Sequence, residues 1–382
     1  MKTILVTFGT RPEAIKMAPV VAALRARPED FRCVVCATAQ HRDMLDQVLP
    51  LFGLVPDVDL DLMQPGQTLN EVTSRVIARM DRVIADSEAD VVVVQGDTTT
   101  AMGSALAAFQ REVPVAHVEA GLRSGRLDAP FPEEMNRVVI DRLAQHCFPP
   151  TPGADKLLAA EGVDAARRLV TGNTAIDALL DLRGRLDSLD LPVRELVGEP
   201  ERLVLITAHR RESFGAPLRD VFSALQSIAT AHPDVTFVYP VHPNPNVKGP
   251  AHDRLTAPNL KLIEPVHYGE LAWLLDRAEL VISDSGGLQE ESPTLGKPLL
   301  VLREVTERPE VVEAGAALLV GTDRALIEKE ATRLLGDADA RSAMGRPQFL
   351  FGDGKASTRI AAHLADESPE PWAPEAVTPA HA

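Results

Sequence analysis

Two hydrophobic patterns alternate along the chain: short, nearly continuous apolar runs, and longer stretches with helical spacing. In the first half the apolar runs are KTILVTF, FRCVVCAT, DVVVVQGD, VPVAHVE, QHCFPP and RRLVTG. Helical patterns lie between them, for example over 12–26, 67–86 and 98–110. Strands that are apolar on both faces and alternate with helices are typical of parallel sheets covered on both sides. The first half is therefore predicted to be a doubly wound α/β domain.

The second half repeats this alternation and predicts a second domain of the same kind. Its apolar runs are RLVLITAH, VTFVYPVH, NLKLIEPV, LVISDS, PLLVLRE and AALLVGT. We expect two Rossmann-like domains with a cleft between them, over residues 1–171 and 172–355. A helix over 356–366 is expected to return to the first domain. The Pro- and Ala-rich end, 367–382, is predicted to be disordered.

Composition removes several classes of protein from consideration. The 382 residues include 55 acidic and 39 basic side chains, a net charge of -16, so nucleic acid and anionic membranes are not expected partners. No apolar run of membrane-spanning length occurs, and we predict a cytoplasmic protein. Cys33 and Cys36 form a C-x-x-C in a strand-like run, which we interpret as part of a buried strand.

The residues that follow the strands deserve most weight, because ligands of such sheets bind beyond the carboxyl ends of the strands. After the first run come Gly9, Thr10 and Arg11, with Lys16 about one helical turn further on. An arginine at a helix N-terminus opposes the helix dipole unless an anion joins them. An ordinary βα loop with surface charges is the alternative, and we favour an anion site.

Acidic residues follow the later strands of the first half. Asp97 closes VVVVQGD, Glu119 closes PVAHVE, and Glu133 opens a helix after PFP. Taken singly, these acids could serve as a helix cap or complement a helix dipole. Grouped at one edge of a sheet with arginines close in sequence, they indicate acid/base catalysis.

In the second half, small and basic residues follow the strands. Ser285 and Gly286 lead from a strand into a helix, where backbone N–H groups favour a phosphate, and Glu291 could accept hydrogen bonds from a ribose. His209, Arg210 and His242 also follow strands. Metal-ligand spacing and the glycine-rich nucleotide fingerprints are missing, so we expect no metal and no cofactor.

Taken together, these motifs resemble those of the non-hydrolysing UDP-N-acetylglucosamine 2-epimerases over about residues 2–323. The matching stretches occur in order and include FGTRPEAIKMAPV, TAQHRDMLD, QGDTTT, HVEAGLRSG, PFPEEMNR, TGNTAIDAL, HRRESFG, HPNPNV and DSGGLQEESPTLGKP. The resemblance implies a glycosyltransferase-B type fold and a homodimer. It also implies a UDP-sugar substrate and a role in supplying bacterial surface polysaccharides.

The reaction implied by the resemblance interconverts UDP-N-acetylglucosamine and UDP-N-acetylmannosamine, by elimination of UDP to a 2-acetamidoglucal and re-addition. Asp97, Glu119 and Glu133 match the family's catalytic acids. Groups near the diphosphate are matched by Arg11, Lys16 and His209, and the turn that holds the nucleotide is matched by Ser285, Gly286 and Glu291. Domain closure is expected to retain UDP between the two steps.

Some relatives carry a second, activating UDP-N-acetylglucosamine, and Gln40, Arg210 and His242 match positions of that site. Asp43 and Gly66 depart from the pattern there, where relatives have a glutamine and an arginine. Two other functions stay open: a retaining glycosyltransferase of the same fold, and a non-catalytic UDP-sugar sensor.

Overall fold

The computed structural model describes residues 1–38, 45, 47–64 and 66–374, which form two compact units. The first unit comprises Met1–Asp181 with Phe351–Pro374, and the second comprises Leu182–Leu350. Each contains a six-stranded sheet in which all strand pairs are parallel. The predicted class, two doubly wound α/β domains, is confirmed. The predicted boundary after residue 171 precedes this division, and the helix Thr174–Arg183 covers the interval.

The first sheet has the strand order β3-β2-β1-β4-β5-β6. Its strands are β1 Lys2–Phe8, β2 Phe31–Ala37, β3 Val58–Asp59, β4 Val91–Gln95, β5 Val115–Val118 and β6 His146–Phe148. β1 pairs along its whole length with β2 and on its other side with β4. The strand order reverses between β1 and β4, and ligands of open parallel sheets bind at such a switch point.

The helices of the first unit begin where the sequence supplies caps. They are α1 Arg11–Arg25, α2 Leu69–Ser87, α3 Thr99–Gln110, α4 Glu133–Leu143, α5 Pro152–Ala160 and α6 Thr174–Arg183. Both α1 and α2 start with a T-x-x-E capping box, in which Thr10 or Thr68 and the glutamate three residues later satisfy each other's backbone N–H. The helices α2 and α3 pack against each other, and the apolar core of this unit includes Val76, Met80 and Ala105.

One strand prediction in the first half was wrong. RRLVTG forms only an isolated bridge, between Cys147 and Arg168. The strand that completes the six-stranded sheet in its place is β3, Val58–Asp59. Two residues that pair with Cys36 and Ala37 form this edge strand. The surrounding sequence DVDLDL alternates acidic and apolar residues and contains no apolar run. The strand is therefore identified by its pairing with β2 and not by its own side chains.

The second sheet has the order β12-β11-β10-β7-β8-β9, which reverses between β10 and β7. Its strands are β7 Leu203–Thr207, β8 Thr236–Pro240, β9 Leu260–Ile263, β10 Leu280–Ser283, β11 Leu299–Val301 and β12 Ala317–Leu319. Its helices are α7 Val193–Val197, α8 Ala216–Ala231, α9 Pro245–Arg254, α10 Tyr268–Arg277, α11 Gly286–Thr294, α12 Pro309–Glu313, α13 Arg324–Gly336 and α14 Ala338–Met344. All six apolar runs of the second half contain a strand, as predicted.

The last helix, α15 Ala356–Leu364, packs against α1. Its first turn is held by Asp177, whose carboxylate accepts the backbone N–H and the hydroxyl of Ser357 at 2.8 and 2.7 Å. Beyond it, buried Trp372 donates its backbone N–H to the carbonyl of Val170 at 2.8 Å. Residues 375–382 of the predicted disordered end lie outside the described residues.

No helix in the described part of the chain is both long and apolar enough to cross a membrane. Cys33 and Cys36 lie in β2 as free thiols, and burial raises the pKa of Cys36 to about 12. A thiol with so high a pKa stays protonated and unreactive at neutral pH. The interpretation of this C-x-x-C as part of a buried strand is confirmed.

Candidate active site

Three adjacent strands of the first sheet end at the same edge, and each is followed by a residue singled out from the sequence. β1 leads into Arg11, β4 into Asp97 and β5 into Glu119. Because the three strands are parallel neighbours, their carboxyl ends lie side by side. We call the set Arg11, Lys16, Asp97, Glu119 and Glu133 the acid edge.

The turn after β1 is organised by a buried carboxylate, Glu13. It accepts the backbone N–H groups of Gly9 and Thr10 at 3.0 and 2.7 Å, and the hydroxyl of Thr98 at 2.7 Å. Burial raises the pKa of Glu13, and these hydrogen bonds act in the opposite direction. Since Thr98 precedes α3, Glu13 fixes the turn after β1 to the turn after β4.

Arg11 is the first residue of α1 and is half-buried. Burial lowers the pKa of its guanidinium. Among residues 1–38, 45, 47–64 and 66–374 it has no hydrogen-bond or ion-pair partner. A half-buried cation at the positive end of a helix is stabilised by an anion, so the structure is compatible with the predicted anion site.

Lys16 and Glu119 form an ion pair across the acid edge. The Nζ of Lys16 lies 2.7 Å from Oε1 and 2.5 Å from Oε2 of Glu119, and the side-chain amide of Gln95 also donates to this carboxylate. Glu119 has a backbone φ of +67°, a left-handed conformation that is rare for a residue with a side chain. Such conformations persist where surrounding contacts enforce them, and they concentrate at functional sites.

Asp97 lies in the turn after β4, 2.6 Å from the guanidinium of Arg137. Burial raises its pKa; Arg137 opposes this effect and the neighbouring charge of Glu119 adds to it. The alternative role of Asp97 as a helix cap is excluded, because Thr98 accepts the N–H of Ala101 at 3.0 Å and caps α3. A carboxyl whose pKa is raised by burial and by a second acid holds its proton more tightly than usual, and such groups are candidates for proton transfer.

Glu133 and Glu134 open α4 and differ in their surroundings. Buried Glu134 accepts the backbone N–H groups of Ser124 and Gly125 at 2.9 and 3.0 Å and pairs with Arg137 at 3.0 Å. The side chain of Glu133 has no hydrogen bond or ion pair to any residue that the structure describes. Glu134 therefore fixes the preceding loop, whereas the carboxylate of Glu133 is not committed to a structural contact.

In the second unit, the turn after β10 leads directly into α11. Ser285 is the N-cap of α11, but its hydroxyl makes no capping hydrogen bond. A Cβ on Gly286 would lie 3.1 Å from Nη1 of Arg308, so this position accommodates a side chain only if Arg308 moves. Backbone N–H groups at a helix start that lack a side-chain cap, with the guanidinium of Arg308 beside them, are suited to a phosphate.

Glu291 lies in the second turn of α11 and is buried. It accepts a hydrogen bond from the hydroxyl of Tyr268 at 2.9 Å. Burial raises the pKa of Tyr268 well above its usual value, and Glu291 raises it further. The tyrosine is therefore a permanent donor that orients the carboxylate of Glu291.

His209 follows β7 and is oriented by a buried acid, Asp284, which follows β10. One oxygen of Asp284 accepts the backbone N–H groups of His209 and Arg210 at 2.6 and 2.8 Å. The other oxygen lies 3.2 Å from Nδ1 of His209. The His209 ring stacks on His242, with centroids 5.4 Å apart, and the pKa of His242 is lowered by burial and by His209. We call His209, Ser285, Gly286 and Glu291 the nucleotide edge.

The residues matched to an activating second site are described only in part. Arg210 and His242 lie next to His209 in the second unit, whereas Gln40 and Asp43 lie outside the described residues. Gly66 has a backbone φ of +73°, a left-handed conformation that favours glycine. No group of three or more metal-ligating side chains occurs among the residues that could be described.

Sequence reasoning missed the buried polar residues behind these edges, namely Glu13, Gln95, His117, Asp141 and Asp284. They look like core or solvent residues in the sequence, because their partners come from other strands and helices. One available signal was an ionisable residue inside or directly after an apolar strand, as for His117 in PVAHV and Asp284 in LVISDS.

The two sheets and their edges define a protein of the glycosyltransferase-B type. A family model described as UDP-N-acetylglucosamine 2-epimerase matches residues 22–365. The chain belongs to the UDP-N-acetylglucosamine 2-epimerase family.

Individual relatives agree with this assignment. The chain is 50% identical to the UDP-N-acetylglucosamine 2-epimerase of Escherichia coli strain K12 over 364 residues, 94% of this chain and 96% of the relative. The UDP-GlcNAc 2-epimerase of Neisseria meningitidis, solved bound to UDP-GlcNAc, is 41% identical with a TM-score of 0.85, over 96% of this chain and 100% of that one. A Staphylococcus aureus MnaA–UDP structure is also 41% identical with a TM-score of 0.85, over 97% and 100%.

Proposed function

We propose that the protein interconverts UDP-N-acetylglucosamine and UDP-N-acetylmannosamine by inverting C2 without hydrolysing the sugar nucleotide. Family membership supports this activity, as does the UDP-GlcNAc bound by the relative from Neisseria meningitidis, which is 41% identical. We further propose that the mannosamine product supplies bacterial surface polysaccharides and that the enzyme is a cytoplasmic homodimer.

The chemical difficulty is the C2 proton, which has no neighbouring carbonyl to make it acidic. Elimination solves this difficulty in two steps. A base removes the C2 proton while the C1–O bond breaks; the C2–H electrons form a C1=C2 double bond, and UDP leaves with the C1–O electrons. A second group then protonates C2 from the opposite face, and the phosphate oxygen of UDP bonds to C1 again. Two faces require at least two acid/base groups.

The coupling of Asp97 and Glu119 is the observation that carries the proposal. The two carboxyl groups follow neighbouring strands, and the charge of Glu119 helps burial to raise the pKa of Asp97. Two acids whose environments differ can share the roles of proton acceptor and proton donor at neutral pH. Glu133 is the third proposed catalytic acid, and its carboxylate has no structural partner among the residues that the structure describes.

The departing UDP gains negative charge as the C1–O bond breaks, and cations near its phosphates stabilise that charge. Arg11, Lys16 and His209 are the groups that we assign to this task. Ser285 and Gly286 would bind phosphate through the N-terminus of α11, and Glu291 would accept hydrogen bonds from the ribose. Binding of UDP would also release Lys16 from Glu119, because the phosphates compete for the same ammonium group.

Incubation with UDP-N-acetylglucosamine alone in deuterated water tests the proposal. We expect UDP-N-acetylmannosamine with deuterium at C2, formed without added nicotinamide and without net release of UDP. A requirement for an acceptor sugar would indicate a retaining glycosyltransferase instead. Binding without turnover would indicate a UDP-sugar sensor, and a product without solvent deuterium would rule out the elimination route.

A further inference from the structure

His117 is a fully buried histidine in β5 whose two ring nitrogens both face acceptors. Nδ1 lies 2.6 Å from a carboxylate oxygen of Asp141, and Nε2 lies 2.7 Å from the carbonyl oxygen of Gly96. A carbonyl oxygen cannot donate a hydrogen, so Nε2 must carry one. The charge on the ring is then decided by whether Asp141 is ionised.

Asp141 has the partners of an ionised carboxylate. Its second oxygen lies 2.7 Å from the guanidinium of Arg123 and accepts the backbone N–H of Gly121 at 3.2 Å. Burial alone would raise the pKa of Asp141, but His117 and Arg123 lower it below the usual value. With every oxygen of Asp141 accepting, Nδ1 of His117 must also donate, and the ring is an imidazolium.

This buried group contacts both turns that carry the coupled acids. Gly96 immediately precedes Asp97 in the turn after β4, and Gly121 follows Glu119 by two residues in the turn after β5. Neither glycine is easily replaced or moved: both have positive φ, and a Cβ on Gly121 would lie 2.5 Å from the carbonyl oxygen of Ala154. His117 holds the first turn, Asp141 holds the second, and the short bond between them links the two.

We propose that His117, as a doubly protonated ring, and Asp141 are positioning residues that fix the spacing between Asp97 and Glu119. The proposal rests on the proposed function, because it assigns the spacing to proton removal and return at C2. A displacement of about 1 Å in such a constellation can cost about a hundredfold in rate. A spacing error affects the second proton transfer in a specific way, because UDP and the 2-acetamidoglucal escape while they wait for the proton.

The first experiment uses the wild-type protein and needs no substitution. In protein labelled with ¹⁵N at histidine, under the conditions of the activity assay, we expect one imidazole whose two nitrogens both carry a hydrogen-bonded hydrogen. Asp141→Asn should abolish that signal and thereby assign it. If no buried histidine donates from both nitrogens under these conditions, the proposal is overturned, even if the variants do not fold.

The second experiment uses His117→Gln and Asp141→Asn. It measures how often the intermediate is converted to epimerised product and how often it is released as free UDP and 2-acetamidoglucal. We expect kcat to fall about tenfold or more, UDP affinity to stay within about twofold, and free UDP with 2-acetamidoglucal to be released more often per epimerisation. Activity should depend on the hydrogen bond to the Gly96 carbonyl. His117→Gln, which can still donate to this carbonyl, should therefore retain more activity than His117→Ala.

His146→Gln is the matched control, because His146 lies in the adjacent strand β6 and its hydrogen bond runs to His363 rather than to the acid edge. It should partition like the wild type. If His117→Gln also partitions like the wild type and loses only folded protein, His117 is structural and the proposal fails. Absence of epimerisation by the wild type would refute the proposed function instead, while the ¹⁵N measurement would still test the charge on His117.

Discussion

The acid edge and the nucleotide edge follow the same strand topology but are built from opposite kinds of residue. On the acid edge, long charged side chains pair with one another, as Lys16 does with Glu119 and Arg137 with Asp97. On the nucleotide edge, a serine precedes a helix that starts with two glycines, and the serine hydroxyl does not cap the helix. The sheets therefore provide the same platform twice with different residues after the strands; the proposed function assigns the carboxylates of one edge to proton transfer and the helix start of the other to phosphate binding.

A histidine–aspartate pair lies behind each edge, and the two pairs differ in what the second ring nitrogen contacts. His117 is fully buried and both of its nitrogens are used inside the protein. His209 is partly exposed, and Asp284 faces only its Nδ1. The same two residue types thus form a fully buried contact in one unit and a partly exposed one in the other.

The largest expected effect separates the two edges directly. Glu119→Gln and Asp97→Asn should each lower kcat by at least about a hundredfold, the scale for removing a general acid or base. UDP affinity, measured by calorimetry, should not fall by more than about threefold, because the nucleotide edge is unchanged and Glu119→Gln removes a carboxylate that competes with phosphate for Lys16. Glu88→Gln, an exposed glutamate at the end of α2, is the control and should behave like the wild type. Normal turnover in either variant would mean that the acids are assigned incorrectly.

A smaller effect is expected behind the nucleotide edge. Asp284→Asn should lower kcat/KM by about tenfold to a hundredfold, because an amide can still accept the two backbone N–H groups but places an NH2 group instead of a carboxylate oxygen beside Nδ1 of His209. Unlike the acid variants, it should also weaken UDP binding. Asp253→Asn, at an exposed position of α9, provides the matched control. Equal UDP affinity in Asp284→Asn and the wild type would show that His209 does not contact the diphosphate.

Gly286→Ala tests the close approach at the start of α11. The added Cβ would lie 3.1 Å from Arg308, which an ion pair of 2.6 Å to Glu290 holds in place. We expect UDP affinity to fall about fivefold, equivalent to about 1 kcal/mol, with kcat at saturation nearly unchanged. Gly249→Ala in α9, where a Cβ meets open space, should have no effect on UDP. An unchanged affinity in Gly286→Ala would argue against phosphate binding by this turn.

The smallest expected effect concerns stability and pH. Because burial raises the pKa of Asp97 above its usual 3.8, the folded protein holds this proton more tightly than the unfolded chain. The free energy of unfolding therefore falls as pH rises from about 3.8 through the raised pKa. Asp97→Asn lacks this group, so its stability relative to the wild type should increase with pH over that interval. Denaturant titrations at several pH values would contradict the prediction if the difference stayed constant.

The sequence predicted what depends on local pattern. The strands of the second sheet and the acid positions after β4 and β5 could be identified because an apolar run ends at a polar residue. The edge strand Val58–Asp59 could not, because its pairing with β2 defines it and its own two residues carry no signal. Properties that depend on one element alone were therefore visible in advance.

The buried partners of the site depended on contacts between distant residues. Asp141 looks like a solvent-facing acid on a helix, and only the fold places it 2.6 Å from His117, 24 positions earlier in the chain. Similarly, the residue type of Asp97 left a helix-cap role open, and the hydrogen bond from the N–H of Ala101 to the hydroxyl of Thr98 excluded it.

The left-handed backbone conformation of Glu119 is unfavourable for folding, yet the proposed reaction needs a carboxylate at this position. A residue with a Cβ gives up about 1–2 kcal/mol in this conformation, and glycine would recover most of it. Glycine would also remove the carboxylate that pairs with Lys16 and that we propose as a catalytic acid, so relief of backbone strain and turnover are expected to change in opposite directions. Screens for robustness in this family should therefore assay turnover at every round.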